Sequence, residues 1–256
     1  MSARRVAPAV LSAFFGVLWV GGVVSHWLGA VREDDGLLAS VFLFTAGLVV
    51  LLGEPTRRGG ALLAAAALFG FAVEVVGERF GVPFGSYTYT GALRPQLLGV
   101  PVVMGPAWMV LTAFSCEAVS RLGLRRWMGA ALAALLTTAC DLVIDPLAVN
   151  RLGYWVWAHE GAYYGIPASN FAGWFFTAFV ACRVLIERRG ANPSAAFVGA
   201  AILLFFALVA LANSLHFVAL LALGLCAAGF VRAKIFNLAS RRLRSITGAL
   251  FHQGPS

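Results

Sequence analysis

The strongest constraint on this chain is its alternation of apolar runs, each near the length of a bilayer span, with short basic clusters. A helix needs about 20 consecutive apolar residues to cross the hydrocarbon core. Such runs recur at about 6–29, 37–53, 60–80, 101–120, 127–149 and 168–186. The remaining stretch, 195–232, is too long for one span. It carries Ala212-Asn213-Ser214 at its centre, which reads as a tight turn between two helices. Composition agrees: 61% of the residues are hydrophobic and 12% charged, against about 25% charged in an average soluble domain. An ordinary cytosolic enzyme could not cover that much apolar surface, and a disordered chain needs the opposite composition. A pI near 10.0 does not indicate a nucleic-acid partner, because the basic residues are scattered between spans. Arg4 and Arg5 precede an apolar run longer than a signal peptide's core of about 7–15 residues, so that run is read as the first span.

Charge sets the expected topology. Eight spans with a cytoplasmic N-terminus leave Arg32, Arg79, Arg94 and Arg151 outside and the other fifteen of the 19 Lys and Arg residues inside. Seven spans would spoil that bias, so the positive-inside rule favours eight, with both termini cytoplasmic. The expected fold is an all-α polytopic helical bundle. A single transmembrane domain would run over 1–234, followed by a basic cytoplasmic tail at 235–256. The net charge of +8 anchors this topology on anionic lipid. Cys116, Cys140, Cys182 and Cys226 lie apart inside apolar segments and read as small buried hydrophobes rather than a disulfide or metal framework.

In that topology the polar residues of the spans gather toward one leaflet, the outer one. Glu74 and Glu78 lie in the outer half of span three, Asp141 and Asp145 in that of span five, and Trp108 and Asn170 begin spans four and six. Ionisable groups inside spans are costly and are read first as functional. The i,i+4 spacing turns both members of each pair the same way. The two segments also resemble each other. Glu74-x3-Glu78 is followed by Gly85-Ser86-Tyr87-Thr88-Tyr89, Gly99-Val100-Pro101 and Trp108. Asp141-x3-Asp145 is followed by Gly153-Tyr154-Trp155-Val156-Trp157, Gly165-Ile166-Pro167 and Trp174. They read as parallel repeats, about 70–120 and 137–186, pairing spans three–four with five–six about an axis along the membrane normal. The alternating aromatics predict short extended stretches with their rings on one face, folded back as lids over the acids. The Gly-aliphatic-Pro triplets predict entry into the next helix with Pro in its first turn.

The run from Glu78 through Phe84-Gly85-Ser86-Tyr87-Thr88-Tyr89 resembles the carotenoid 1,2-hydratases of the CruF type, which include the bisanhydrobacterioruberin hydratases. So does Asp141-x3-Asp145-Pro146 with Gly153-Tyr154-Trp155-Val156-Trp157 and Tyr163-Tyr164-Gly165-Ile166-Pro167-x-Ser169-Asn170. The resemblance covers about 70–180. It implies hydration of the terminal 1,2 double bond of an acyclic ψ-end carotenoid to a tertiary alcohol, in a bacterial or archaeal cell membrane. The partners it implies are the carotenoid, membrane lipid and other enzymes of the pathway.

The residues suit that chemistry. Protonation of C2 leaves a tertiary cation at C1, to which water adds. The step is redox-neutral, so no cofactor and no metal are expected, and the chain has no G-x-G-x-x-G opening a helix. Paired carboxyls in a low dielectric can supply an acid beside a base. Asp141 and Asp145 are the expected proton-handling pair, with Glu74 and Glu78 positioning water or sharing the proton. Asn170 is the expected orienter of water. Tyr87, Tyr89, Trp108, Trp155, Trp157, Tyr164 and Trp174 are the expected contacts to the cation and polyene. Two other classes fit part of the pattern: a metal-dependent isoprenoid transferase, with Asp pairs on a diphosphate, and a proton-coupled carrier.

Overall fold

The computed structural model describes residues 3–30, 35–120, 122–188 and 190–227. These form an all-α polytopic bundle. Its helices are α1 (Ala3–Trp27), α2 (Asp35–Leu52), α3 (Arg57–Phe80), α4 (Met104–Ser120), α5 (Arg126–Asn150), α6 (Ala168–Leu185), α7 (Pro193–Ala212) and α8 (His216–Ala227). Six of them, all except α4 and α8, are long and apolar enough to cross a membrane. The expected turn in the last apolar stretch is present: Asn213 caps α7, Ser214 has a φ of 60°, and α8 begins two residues later. The end of the last expected span, the tail at 235–256, and Arg32, Arg121 and Arg189 lie outside the described residues.

Apolar side chains gain nothing by leaving lipid for protein, so helices in a membrane associate through close packing and polar contacts. The central helix α4 packs against α2, α3, α5, α6 and α7. Small residues permit the approach: a Cβ on Gly70 of α3 would collide with the Trp108 ring, and one on Gly199 of α7 with Phe114. By contrast, α1 packs against α2 and α7 alone among the larger contacts and leaves Val10, Phe14, Val17 and Val24 exposed, the pattern of a lipid-facing helix.

At one end of the bundle, Arg188 and Glu54 form an ion pair at 2.9 Å with side chains 5% and 0% exposed. Asn192 donates to the Val50 carbonyl (3.0 Å) and to Glu54 (3.3 Å), and its main-chain N–H donates to Glu117 (3.0 Å). Thr56 and Asn192 cap α3 and α7. This polar knot ties together the ends of α2, α4, α6 and α7.

The other end carries the loops and four short strands: β1 (Tyr87–Tyr89), β2 (Gln96–Leu97), β3 (Val100–Pro101) and β4 (Trp155–Trp157). The extended aromatic stretches are as expected, with Tyr87 and Tyr89 buried and Thr88 exposed between them. The pairing of β1 with β4 is new information. Its antiparallel register is Tyr87↔Trp157, Thr88↔Val156 and Tyr89↔Trp155. It is extended by Thr90 N–H to the Tyr154 carbonyl and Ala158 N–H to that of Ser86. Exchanging the two segments maps this register onto itself. The prolines depart from expectation: Pro101 lies in β3, three residues before α4, and Pro167 is the N-cap of α6. Pairing of Val100–Pro101 with Gln96–Leu97 uses residues that would otherwise begin the helix.

Candidate active site

α3 and α5 both deliver carboxyls beneath the β1–β4 ribbon. Glu74 is 3% exposed and accepts three hydrogen bonds. Tyr87 and Tyr89 donate their hydroxyls to Oε2 at 2.6 and 2.8 Å, and Trp108 donates Nε1–H to Oε1 at 2.8 Å. Period-two alternation in β1 points both tyrosines inward, and the bond from α4 crosses to α3 where Gly70 leaves room for the indole. Burial, and after it the Glu74 charge, push both tyrosine hydroxyls above the ordinary tyrosine range, so both are proton donors in their bonds to Glu74.

On α5, Asp141 and Asp145 are 0% and 1% exposed. The Asn170 amide of α6 donates to both, at 2.9 Å to Asp141 Oδ2 and 2.7 Å to Asp145 Oδ2. One nitrogen holding two carboxyl oxygens brings the pair within a few ångström of each other.

Between the two acid clusters lies a cavity of about 20 Å³, room for a single water. Glu74, Asp145 and Asn170 supply its polar wall, and Tyr87, Tyr89, Trp155, Trp157, Trp174, Phe84 and Met104 the rest. Trp108 stacks on Trp174 at 4.1 Å, Tyr87 lies tilted against Trp157 at 5.1 Å, and Tyr89 meets Trp155 edge-on at 5.8 Å. Asp141 Oδ1 and Trp157 Nε1 are buried without a hydrogen-bond partner among the described residues.

Ten of the twelve residues expected from the sequence therefore meet in one cluster. Glu78 and Tyr164 do not line the cavity. Glu78 shares a face with Glu74 but sits one turn, about 6 Å, further along the axis, half-buried with its carboxyl against Gly99. Tyr164 packs its ring against Tyr163 at 4.9 Å, and its carbonyl accepts from Asn150 at 2.9 Å. Phe84 and Met104 were not anticipated. Phe84 inserts between α3 and α6, where a Cβ on Gly77 or Gly173 would strike its ring.

Comparison with known proteins bears on this cluster. The family model described as carotenoid biosynthesis protein matches residues 36–233, which include every residue of the site. The chain belongs to that carotenoid biosynthesis protein family. Over 135 residues it is 37% identical to the bisanhydrobacterioruberin hydratase of Haloarcula japonica, a match covering 49% of this chain. The chain spans 44% of that relative's length. No solved structure matches it.

Proposed function

We propose that this member of the family is a membrane-embedded carotenoid hydratase. It adds water across the terminal 1,2 double bond of an acyclic ψ-end carotenoid by acid–base chemistry, without a cofactor. The observation that carries the reading is the water-sized cavity, bounded by Asp145, Asn170 and Glu74 and roofed by aromatic rings. The hydratase name of the relative supports the reaction class.

The geometry supports the following steps. Two carboxyls held by one amide share a proton more readily than they carry two charges. The Asp141–Asp145 pair gives that proton to C2, and the π electrons form the new C–H bond, leaving the cation at C1. Water attacks C1 and returns its proton to the pair, so the protein ends as it began. Glu74 already accepts from three donors. We assign it to face the cation as a fixed negative charge rather than to donate. The rings of Trp155, Trp157 and Trp174 add cation–π attraction of about 0.5–2 kcal/mol each. Asn170 keeps the Asp pair in register and orients water.

We also read the two acid-bearing segments as parallel repeats. The self-exchanging β1–β4 register and the Trp108–Trp174 stack support this, because equivalent residues meet across one axis. The loop end then faces the outer leaflet of a bacterial or archaeal cell membrane and both termini are cytoplasmic. Expression in a lycopene-producing host with mass analysis of the pigments tests the reaction. Products heavier by one or two waters are expected, and unchanged lycopene beside membrane-inserted protein would overturn it.

A further inference from the structure

Pro146 interrupts α5 immediately after Asp145. A proline has no N–H, and its ring crowds the carbonyl four residues back. That carbonyl belongs to Leu142, the residue after Asp141, so the helix bond is missing from the turn that separates the two carboxyls. The structure supplies another donor. The Tyr163 hydroxyl, from the loop between β4 and α6, donates to the Leu142 carbonyl at 2.8 Å.

That donor is held in place from several sides. Asn150 Nδ2 donates to the Tyr164 carbonyl at 2.9 Å, so the loop is fastened to α5 on both sides of Pro146. Ile166 N–H donates to the Tyr163 carbonyl at 2.8 Å. The Tyr163 ring meets Tyr164 and Phe171 edge-on at 4.9 and 5.6 Å, and Phe171 follows Asn170 on α6. In the first repeat the position matching Pro146 is Arg79, so the missing helix bond is peculiar to the Asp pair.

We infer that Tyr163 is a positioning residue for the Asp141–Asp145 pair, its hydroxyl replacing the helix bond that Pro146 deletes and so fixing the two carboxyls across the Asn170 amide. Burial, then the charges of Tyr164, Asp141 and Asp145, push this hydroxyl up to about 12, so it remains a donor at physiological pH. The inference rests on the hydratase reading for its consequence in turnover.

Tyr163→Phe keeps the ring and removes the bond. Misplacement of a reacting group by a fraction of an ångström to about 1 Å costs up to about 100-fold in rate. Purified Tyr163→Phe is expected to lose about 10- to 100-fold in kcat with KM changed less than about two-fold. In the Pro146→Ala background residue 146 regains an N–H for Leu142, so Tyr163→Phe should there change kcat by less than about two-fold. Full kcat in the single variant would overturn the inference, and so would a loss undiminished in the Pro146→Ala background. If Tyr163→Phe does not accumulate, the double variant still tests the inference, which a loss of about 10-fold or more in kcat relative to Pro146→Ala would overturn. The infrared carboxyl band identified by its loss in Asp145→Asn gives a readout independent of turnover. It is expected to shift in Tyr163→Phe, and an unshifted band would overturn the positioning role even if the wild type hydrates nothing.

Discussion

The Glu74 cluster permits a quantitative test of how the ribbon is held to the bundle. Tyr87 and Tyr89 donate to the same oxygen, Oε2, while Trp108 serves Oε1. A hydrogen bond to a charged group is worth about 1.5–3 kcal/mol. Removing one hydroxyl leaves Oε2 with the other, so Tyr87→Phe and Tyr89→Phe should each cost near the lower figure, about 1.5 kcal/mol. The double variant strips both donors from an oxygen on a residue 3% exposed. The unmet desolvation should make it worse than the sum, with a coupling of about 1–3 kcal/mol in the range seen for contacting residues. Equilibrium unfolding in detergent, followed by circular dichroism on wild type, both single variants and the double, gives all four corners of the cycle. Strict additivity, or a double variant within about 0.5 kcal/mol of wild type, would refute the shared-oxygen geometry.

Other consequences lie away from the ribbon. Glu54→Gln leaves Arg188 buried without its counter-charge and should cost about 3–5 kcal/mol in the same unfolding assay, and a loss under about 1 kcal/mol would refute the role of the knot. A reporter fused to the C-terminus should read as cytoplasmic, and a periplasmic signal would reverse the proposed orientation.

Much of this molecule was legible because its signals are local. Hydropathy located the helices, Asn213-Ser214 the turn between α7 and α8, and period-two aromatics the inward rings of Tyr87 and Tyr89. The missed features are tertiary. Nothing near Phe84 or Met104 marks an apolar side chain for a cavity wall; packing against Gly77, Gly173 and α4 does that. The i,i+4 rule gave Glu78 the right face but not its depth. In the doublet Tyr163-Tyr164, nothing local says which hydroxyl reaches α5, and the sequence singled out Tyr164 only as a contact to substrate. The clue was present in Pro146, whose missing N–H requires a donor for Leu142 from elsewhere.

The central claim is that the buried Asp pair, and not a loop carboxylate, delivers the proton for hydration. Its most direct test supplies purified protein with lycopene in heavy-oxygen water and follows labelled tertiary alcohol per mole of protein, with Asp145→Asn and Glu160→Gln in parallel. The amide introduced by Asp145→Asn fills the same volume as the carboxyl and its oxygen can still accept from Asn170, so the fold should persist. Glu160 is exposed and its change should be mild. One labelled oxygen per hydrated end is expected from the wild type and from Glu160→Gln, with Asp145→Asn lower by about 10²–10⁴-fold. Near-wild-type labelling by Asp145→Asn, with Glu160→Gln inactive, would contradict the account.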